Sequence, residues 1–125
     1  MTAAELVKAL DGEVICGENG LERPVHDFAA SDLLSDILGL GKEGYALLTG
    51  LTNTQVIQTA EITNACCVVI LNGKQPHKGA VAMARRHGMP LVLSRYSMFE
   101  ACCRLSRLLE RGRAGAKGPT SLAGT

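Results

Sequence analysis

Small polar residues, glycines and two cations follow three apolar segments of the chain, and together they have the character of an anion site. The candidate residues are Ser31, Asp32, Thr49, Gly50, Thr52, Asn53, Asn72, Gly73, Lys74, Ser94, Arg95 and Tyr96. Free amides at a helix start attract phosphate because the macrodipole is positive there. Lys74 and Arg95 would add charge, Arg95 as a bidentate donor, and Tyr96 would stack on a base. These residue types predict a site for a nucleotide- or phosphate-like anion.

The same residues also have a purely structural interpretation. Thr52 and Ser97 each precede a Gln or Glu by three positions, which is the capping-box pattern of a helix start. A hydroxyl in that position stabilises its helix by about 1 kcal/mol without any ligand. Gly50 and Gly73 suit the tight turns between a strand and a helix. Neither a Walker A motif nor a G-x-G-x-x-G motif is present, so both interpretations stay open.

Metal and covalent chemistry have fewer residues to support them. Asp32 and Asp36 are spaced to share one helix face and a divalent cation, but no third ligand can be named from the sequence. The histidines at 26, 77 and 87 are scattered, and neither a G-x-S-x-G nor an H-E-x-x-H motif occurs. We therefore predict a non-enzymatic protein without catalytic residues, cofactor or metal. A small hydrolase or transferase that depends on His77 or Asp32 is the third alternative.

The five cysteines comprise Cys16 and two adjacent pairs, Cys66 with Cys67 and Cys102 with Cys103. Neighbours on a strand point to opposite faces, and neighbours on a helix diverge by about 100°. No C-x-x-C spacing is present, and structural metal sites usually need it. We expect the cysteines to be small buried hydrophobic residues that form no disulfide in a reducing cytosol.

The apolar segments themselves have the pattern of buried strands. Residues 45–48, 66–71 and 91–93 are apolar without alternation, which is typical of a parallel sheet covered on both faces. Each segment is followed by a short polar turn and a helical pattern. Parallel connection places all three turns at one edge of the sheet, where open α/β folds bind ligands. The fold class is therefore α/β, a single domain with a mostly parallel sheet flanked by helices.

The remaining segments predict further elements at both ends of this core. Before it we expect a capped helix to Leu10, a strand at 14–16, an extended segment at 25–30 and a short helix. That helix would place one group of residues on one side: Leu33, Leu34, Ile37 and Leu38. A last helix at 97–110 would place another group on one face: Phe99, Cys102, Leu105 and Leu109.

Composition sets the domain organisation and excludes several classes of protein. Large apolar residues nearly disappear after residue 110, so we predict a folded domain at 1–110 and a disordered tail at 111–125. A net charge of +1 with 3% aromatic residues argues against a nucleic-acid partner. The longest apolar stretch, 65–71, is too short to cross a membrane, and the first residues lack a secretory signal. We expect a cytoplasmic protein.

Five segments of the chain resemble the DRTGG-domain family in order and spacing. They are GEVICG at 12–17, ASDLLSD at 30–36, LLTGLTNTQVIQTAE at 47–61, GKQP at 73–76 and PLVLSRYSMFEA at 90–101. The similarity is strongest to short stand-alone members encoded beside iron-only hydrogenase subunits. Residues 48–53 take the place of the Asp-Arg-Thr-Gly-Gly signature, which this chain lacks.

The resemblance implies a fold similar to the N-terminal domains of HPr kinase/phosphorylase and the Mur ligases, and a role as a regulatory sensor. It also implies protein partners in a redox or hydrogenase system. Our leading hypothesis is a sensor whose small anionic effector binds over the strand ends. The alternative is a ligand-free adaptor that forms a homodimer and docks to a larger partner. Its dimer seam would use several of these residues: Val56, Ile57, Met83, Met98 and Phe99.

Overall fold

The computed structural model describes residues 1–115. The chain begins with helix α1 (Ala3–Ala9), strand β1 (Glu13–Cys16), a 3-10 turn (Glu18–Gly20), strand β2 (Asp27–Ala30) and helix α2 (Leu34–Leu38). Three strand–helix units follow: β3 (Tyr45–Thr49) with α3 (Thr54–Ile62), β4 (Cys67–Ile70) with α4 (Lys78–His87), and β5 (Leu91–Leu93) with α5 (Met98–Gly115). The strand–turn–helix repeat predicted from the apolar segments is thus confirmed.

The strands form one five-stranded sheet in the order β1-β5-β4-β3-β2. The pairs β2–β3, β3–β4 and β4–β5 are parallel, and β1 joins β5 antiparallel. The α/β class with a mostly parallel sheet is confirmed. Because the parallel strands run together, the turns after β2, β3, β4 and β5 meet at one edge of the sheet, which we call the carboxyl edge.

Helices cover both faces of the sheet, as the continuous apolar strands require. On one face Ile37, Ile57 and Ala84 from α2, α3 and α4 pack on the strands. On the other face Leu6 and Leu105 from α1 and α5 do the same. Every residue of β3, β4 and β5 is buried, so the central strands are a two-sided core.

Local capping explains where several helices begin and end. Thr2 and Glu5 form the predicted capping box of α1. The Ser97 hydroxyl accepts a hydrogen bond from the Glu100 amide at the start of α5, as expected. Gly88 ends α4 in the left-handed conformation that glycine adopts without steric penalty. These contacts fix the helix boundaries close to the predicted positions.

The two predicted helix faces are only partly buried. In α2 Ile37 is buried, whereas Leu33 just before the helix and Leu38 within it are more than half exposed, because this short helix packs through a single turn. Among residues 98–112 of α5, Ala101 and Leu105 are buried, and Phe99 is 78% exposed. The helix also continues past Glu110 to Gly115, so the boundary predicted at 110 lies inside it. The rest of the predicted tail, 116–125, lies outside the described residues.

The cysteines differ from the prediction in two respects. Cys16, Cys66 and Cys67 are buried as expected, but Cys102 is exposed and Cys103 is half-buried. Cys66 and Cys67 do not point to opposite faces of the sheet; both belong to the core cluster under α1 and α5. The reason is that Cys66 precedes β4, so the alternation of a regular strand does not apply to it.

Candidate functional site at the carboxyl edge

The ends of β2 and β3 bring three of the predicted residues into one hydrogen-bonded group. The Asp32 carboxylate accepts hydrogen bonds from the Gly50 amide at 2.6 Å and from the Thr49 hydroxyl at 3.2 Å, both to Oδ1. Thr49 is the last residue of β3 and Gly50 opens the following turn, and both are buried. Asp32 itself is exposed. A solvent-facing carboxylate therefore covers a buried backbone donor.

Lys74 completes this group from the turn after β4. Its Nζ donates to the Gly50 carbonyl at 3.3 Å. A methyl group placed on Gly50 would lie 3.4 Å from Nζ of Lys74 and 3.4 and 3.5 Å from the two Asp32 oxygens. The space above Gly50 is therefore bounded by an ammonium group on one side and a carboxylate on the other. We call Asp32, Thr49, Gly50 and Lys74 the Gly50 cluster.

Donors of the Gly50 cluster already hydrogen-bond an oxyanion, the carboxylate of Asp32. A backbone N–H, a hydroxyl and a nearby ammonium are the donors that proteins use for phosphate and carboxylate groups. In this structure the Asp32 carboxylate takes the place of such a group. An incoming anion would have to displace it, since two negative groups at the same donors repel each other.

The start of α3 is capped differently from the prediction. Asn53, not Thr52, is the N-cap, and its side-chain oxygen accepts from the Val56 amide at 3.1 Å. The Thr52 carbonyl instead accepts from the His77 amide at 2.9 Å. Asn53 thereby provides a hydrogen-bond acceptor for a free amide in the first turn of α3. The backbone of Thr52 links the turn after β3 to the start of α4.

Asn72, Gly73 and Arg95 join the turns after β4 and β5. The Asn72 amide donates to the Tyr96 carbonyl at 2.9 Å, and the Gly73 amide donates to the Ser94 carbonyl at 3.0 Å. Asn72 and Gly73 both have positive φ values, 62° and 65°, which this tight turn requires. The Arg95 side chain passes near Gly73 and is exposed. Its guanidinium remains a second cation at the carboxyl edge.

Three predicted site residues instead hold the fold together. The buried Ser94 hydroxyl donates to the Leu10 carbonyl at 2.9 Å. Tyr96 donates its phenolic hydrogen to Asp11 and lies under the Arg104 guanidinium, 4.1 Å from the ring centre. The bond to Asp11 raises the pKa of the Tyr96 phenol. Ser31 bonds within its own turn to the Leu33 amide. The Tyr96 ring therefore packs between α1 and α5 and is not presented to the Gly50 cluster.

Two further concave regions were not predicted from the sequence. One is a groove of about 280 Å³ between β2 and α5, lined by Phe28, Ala30, Leu48, Cys102, Leu105, Ser106, Leu109 and Glu110. The other is a cavity of about 350 Å³ at the opposite, amino edge of the sheet. Both depend on contacts between distant segments. The sequence interpretation of Cys66 and Cys67 as buried hydrophobic residues on opposite faces gave no indication of the cavity.

Residues 1–115 contain neither a cluster of three or more metal-ligating side chains nor a helix that could span a membrane. Among residues 1–115, no group of three or more His, Cys, Asp or Glu side chains converges to hold a metal ion. Over the same residues, no helix has both the length and the apolar character that crossing a bilayer would require.

Comparisons with known proteins agree with this architecture. A structure from Clostridium perfringens, the CBS and DRTGG domains of the regulatory region of a pyrophosphatase complexed with its activator diadenosine tetraphosphate, superimposes with a TM-score of 0.67 and 13% identity. The match covers 81% of this chain and 44% of that one, so this chain corresponds to less than half of the regulatory region. A search of curated protein sequences found no match.

The family assignment rests on the sequence match. The DRTGG domain model matches residues 5–108, which is most of the chain and includes every strand of the sheet. The chain belongs to the DRTGG domain family.

Proposed function

We propose that this protein is a non-enzymatic regulatory module that binds a small phosphate-bearing anion, such as a nucleotide, at the Gly50 cluster. The observation that carries the proposal is the Asp32 carboxylate on the Gly50 amide, 2.6 Å from a buried donor. That donor, the Thr49 hydroxyl and Lys74 form a ready set of partners for a terminal phosphate.

Binding would exchange one anion for another and thereby move the segment that carries Asp32. This segment has few buried anchors, since Leu33 and Leu38 are 57% and 54% exposed and Ile37 is the buried residue of α2. Release of Asp32 would therefore change the surface around α2 while leaving the sheet intact. A ligand-dependent change at a surface helix is the kind of output that a regulatory module needs.

The DRTGG family and the structural neighbour both support the proposed regulatory role of this protein. The C. perfringens region has CBS and DRTGG domains and was solved with a dinucleotide activator, so nucleotides that carry several phosphates are the first ligands to test. The DRTGG-family resemblance adds a redox or hydrogenase system as the partner to test.

A thermal-shift experiment tests the proposal directly. The purified protein is heated with ADP, pyrophosphate or diadenosine tetraphosphate, alongside Lys74→Ala and Asp32→Asn. A ligand at about 100 times its Kd should stabilise the fold by about 2.7 kcal/mol. We expect a raised midpoint for the natural chain, a smaller shift for Lys74→Ala, and a larger one for Asp32→Asn because its competing charge is gone.

Lys78→Ala is the matched control for this experiment. Lys78 is an exposed lysine four positions further along, at the first turn of α4, and it should leave the ligand-induced shift unchanged. No shift with any of the three ligands, in the natural chain and in Asp32→Asn alike, would refute the proposed function.

A homodimeric adaptor is the second candidate, and the groove between β2 and α5 favours it. The groove has an apolar floor of Phe28, Leu48 and Leu105. Phe99, 78% exposed, lies on α5 one turn before Cys102 at the groove wall. Two residues of the predicted dimer seam, Val56 and Ile57, are fully buried and cannot take part. Sedimentation of the natural chain and of Phe99→Ser tests this candidate: a dimer that the substitution dissociates would support it.

A further inference from the structure

The cavity at the amino edge lies away from the Gly50 cluster and has a different chemical character. Its lining includes Arg23, His26, Glu61, Cys66 and His87, with Met89 and backbone around them. His87 and Glu61 approach each other, with Nδ1 and Oε2 separated by 3.8 Å. None of these residues takes part in the proposed anion site.

Cys66 lines this cavity and lies beside a second, fully buried cysteine, Cys67. Adjacent residues of a regular strand point to opposite faces, yet Cys66 and Cys67 lie on the same side of the sheet, in the same core cluster. Their sulfur atoms are 3.9 Å apart. Cys67 has no exposed surface and Cys66 is 5% exposed. The cavity is therefore bordered by one member of a closely spaced pair of thiols.

The two thiols of the pair have different surroundings. The hydrogen bond with Cys67 lowers the pKa of Cys66, and the Arg23 guanidinium lowers it further, against the opposing effect of burial. The same hydrogen bond and burial raise the pKa of Cys67. Of the two residues, Cys66 is the one that lines the cavity.

We propose that Cys66 and Cys67 form a binding site for a soft, thiophilic metal ion of low coordination number, such as Cu(I). Thiolate ligands select such ions over harder ones. With metal–sulfur bonds of about 2.3 Å, two sulfurs 3.9 Å apart correspond to a sulfur–metal–sulfur angle of about 116°. Each thiol releases one proton to solvent, two metal–sulfur bonds form, and no electron is transferred.

The backbone spacing favours an ion over a disulfide at this pair. The Cα atoms of adjacent residues are about 3.8 Å apart, below the range of about 4.4–6.8 Å that an unstrained disulfide needs. Within residues 1–115, no third metal-ligating side chain converges on the pair. The site therefore suits an ion that accepts two protein sulfurs and takes any third ligand from the cavity.

The test is an anaerobic titration of the reduced protein with Cu(I) in competition with a chromogenic Cu(I) chelator. The variants are Cys66→Ser, Cys67→Ala and, as a matched control, Cys102→Ser combined with Cys103→Ser. The control removes the other adjacent pair, which lies on α5 and is exposed or half-buried. We expect one tightly bound ion in the natural chain and in the control, and an affinity at least about tenfold weaker in each single variant. Equal affinity in Cys66→Ser, or loss of binding in the control, would overturn the proposal.

A second measurement keeps the proposal testable if the buried substitution at Cys67 unfolds the protein. The natural chain is incubated with one equivalent of a monosubstituted trivalent arsenical, which requires two neighbouring thiols. It is then denatured, alkylated and mapped by mass spectrometry. Protection of Cys66 and Cys67 together from alkylation supports the dithiol site. Protection of Cys102 and Cys103, or of no pair, contradicts it.

Discussion

The two edges of the sheet are built from the same strands but have opposite characters. At the carboxyl edge Asp32, Asn72, Lys74 and Arg95 are exposed, and the side chains meet through a few hydrogen bonds around Gly50. At the amino edge Tyr45, Cys66 and Cys67 are buried, beneath the exposed side chains of Arg23, His26 and His87 that line the cavity there. The difference follows from connectivity. Short turns lead from β3, β4 and β5 into their helices at the carboxyl edge, whereas at the amino edge the segment around Gly17 packs on Pro90.

This contrast indicates that residues important for stability and residues available for ligand binding lie at different edges of the sheet. Residues at the amino edge have close packing partners, so substitutions there should destabilise the fold. The exposed side chains at the carboxyl edge have few partners, so substitutions there should change ligand binding far more than stability. If this separation holds, the loss of stability should be largest for substitutions at the amino edge and smallest for those at the carboxyl edge.

Gly17→Ala at the amino edge should cause the largest loss of stability. Gly17 has φ of +81°, and a methyl group there would lie 2.5 Å from the backbone of Pro90. Strain and overlap together should lower the free energy of unfolding by about 3 kcal/mol or more. Gly88→Ala is the matched control, because φ is +66° but nothing lies within 4 Å. It should cost about 1–2 kcal/mol. Equal losses in urea denaturation would show that close packing at this edge is unimportant.

Tyr45→Phe, at the same edge, should cause a moderate and pH-dependent loss of stability. The buried phenol shares a hydrogen bond with the Thr63 hydroxyl, and its loss should cost about 1 kcal/mol at neutral pH.

The contribution of Tyr45 to stability should decrease at high pH. Burial raises the pKa of Tyr45 above its usual value, so the folded state holds this proton more tightly than the unfolded state. The stabilisation is complete below the unfolded pKa of about 10 and is lost as the pH rises through the folded pKa. Urea unfolding at about pH 8 and about pH 10.5 should give a smaller difference between the natural chain and Tyr45→Phe at the higher pH. A constant difference would contradict the assignment.

Asn53→Ala should cost about 1 kcal/mol because it removes the cap of α3. Thr52→Ala, at the neighbouring position favoured by the sequence pattern, should cost less than about 0.5 kcal/mol, since the contact of Thr52 to His77 uses its backbone carbonyl. Thermal unfolding of the two variants compares them directly. A larger loss of stability in Thr52→Ala than in Asn53→Ala would show that Thr52 is the cap.

Lys74→Ala should have the smallest effect on stability, within about 0.5 kcal/mol. Lys74 is exposed and makes a single hydrogen bond to the Gly50 carbonyl. Its effect on phosphate affinity should be much larger, about tenfold, because it is the cation beside the buried donor. Chemical denaturation and calorimetric titration on the same sample separate the two quantities. A large loss of stability would mean that Lys74 is a structural residue.

The sequence predicted the core of the fold because the relevant signals are local. Apolar strands at 45–48, 66–71 and 91–93 and the capping patterns at Thr2 and Ser97 each specify their own element. Parallel connection then places the turns at one edge. Prediction failed where distant segments decide the outcome. Ser94 and Tyr96 turn toward Leu10 and Asp11, contacts that no local pattern contains.

The centre of the candidate site shows the same division. Gly50 and Lys74 were placed at the carboxyl edge by the strand pattern alone. The contact of Asp32 with the Gly50 amide joins residues on two neighbouring strand ends, and residue type could not reveal that an internal carboxylate already occupies the donor. The pairing of Cys66 with Cys67 was also missed, because the sequence places Cys66 inside a strand that begins one residue later.

The most direct test of the proposed anion site is an NMR titration of the ¹⁵N-labelled protein with ADP, following the backbone amide of Gly50. We predict that the Gly50 resonance shifts strongly as Asp32 is displaced, that its neighbours Thr49 and Leu51 shift with the same Kd, and that Cys66 and Phe28 do not respond. Saturating ADP that leaves Gly50 unmoved, or that shifts the resonances around Phe28 or Cys66 instead, would contradict the account.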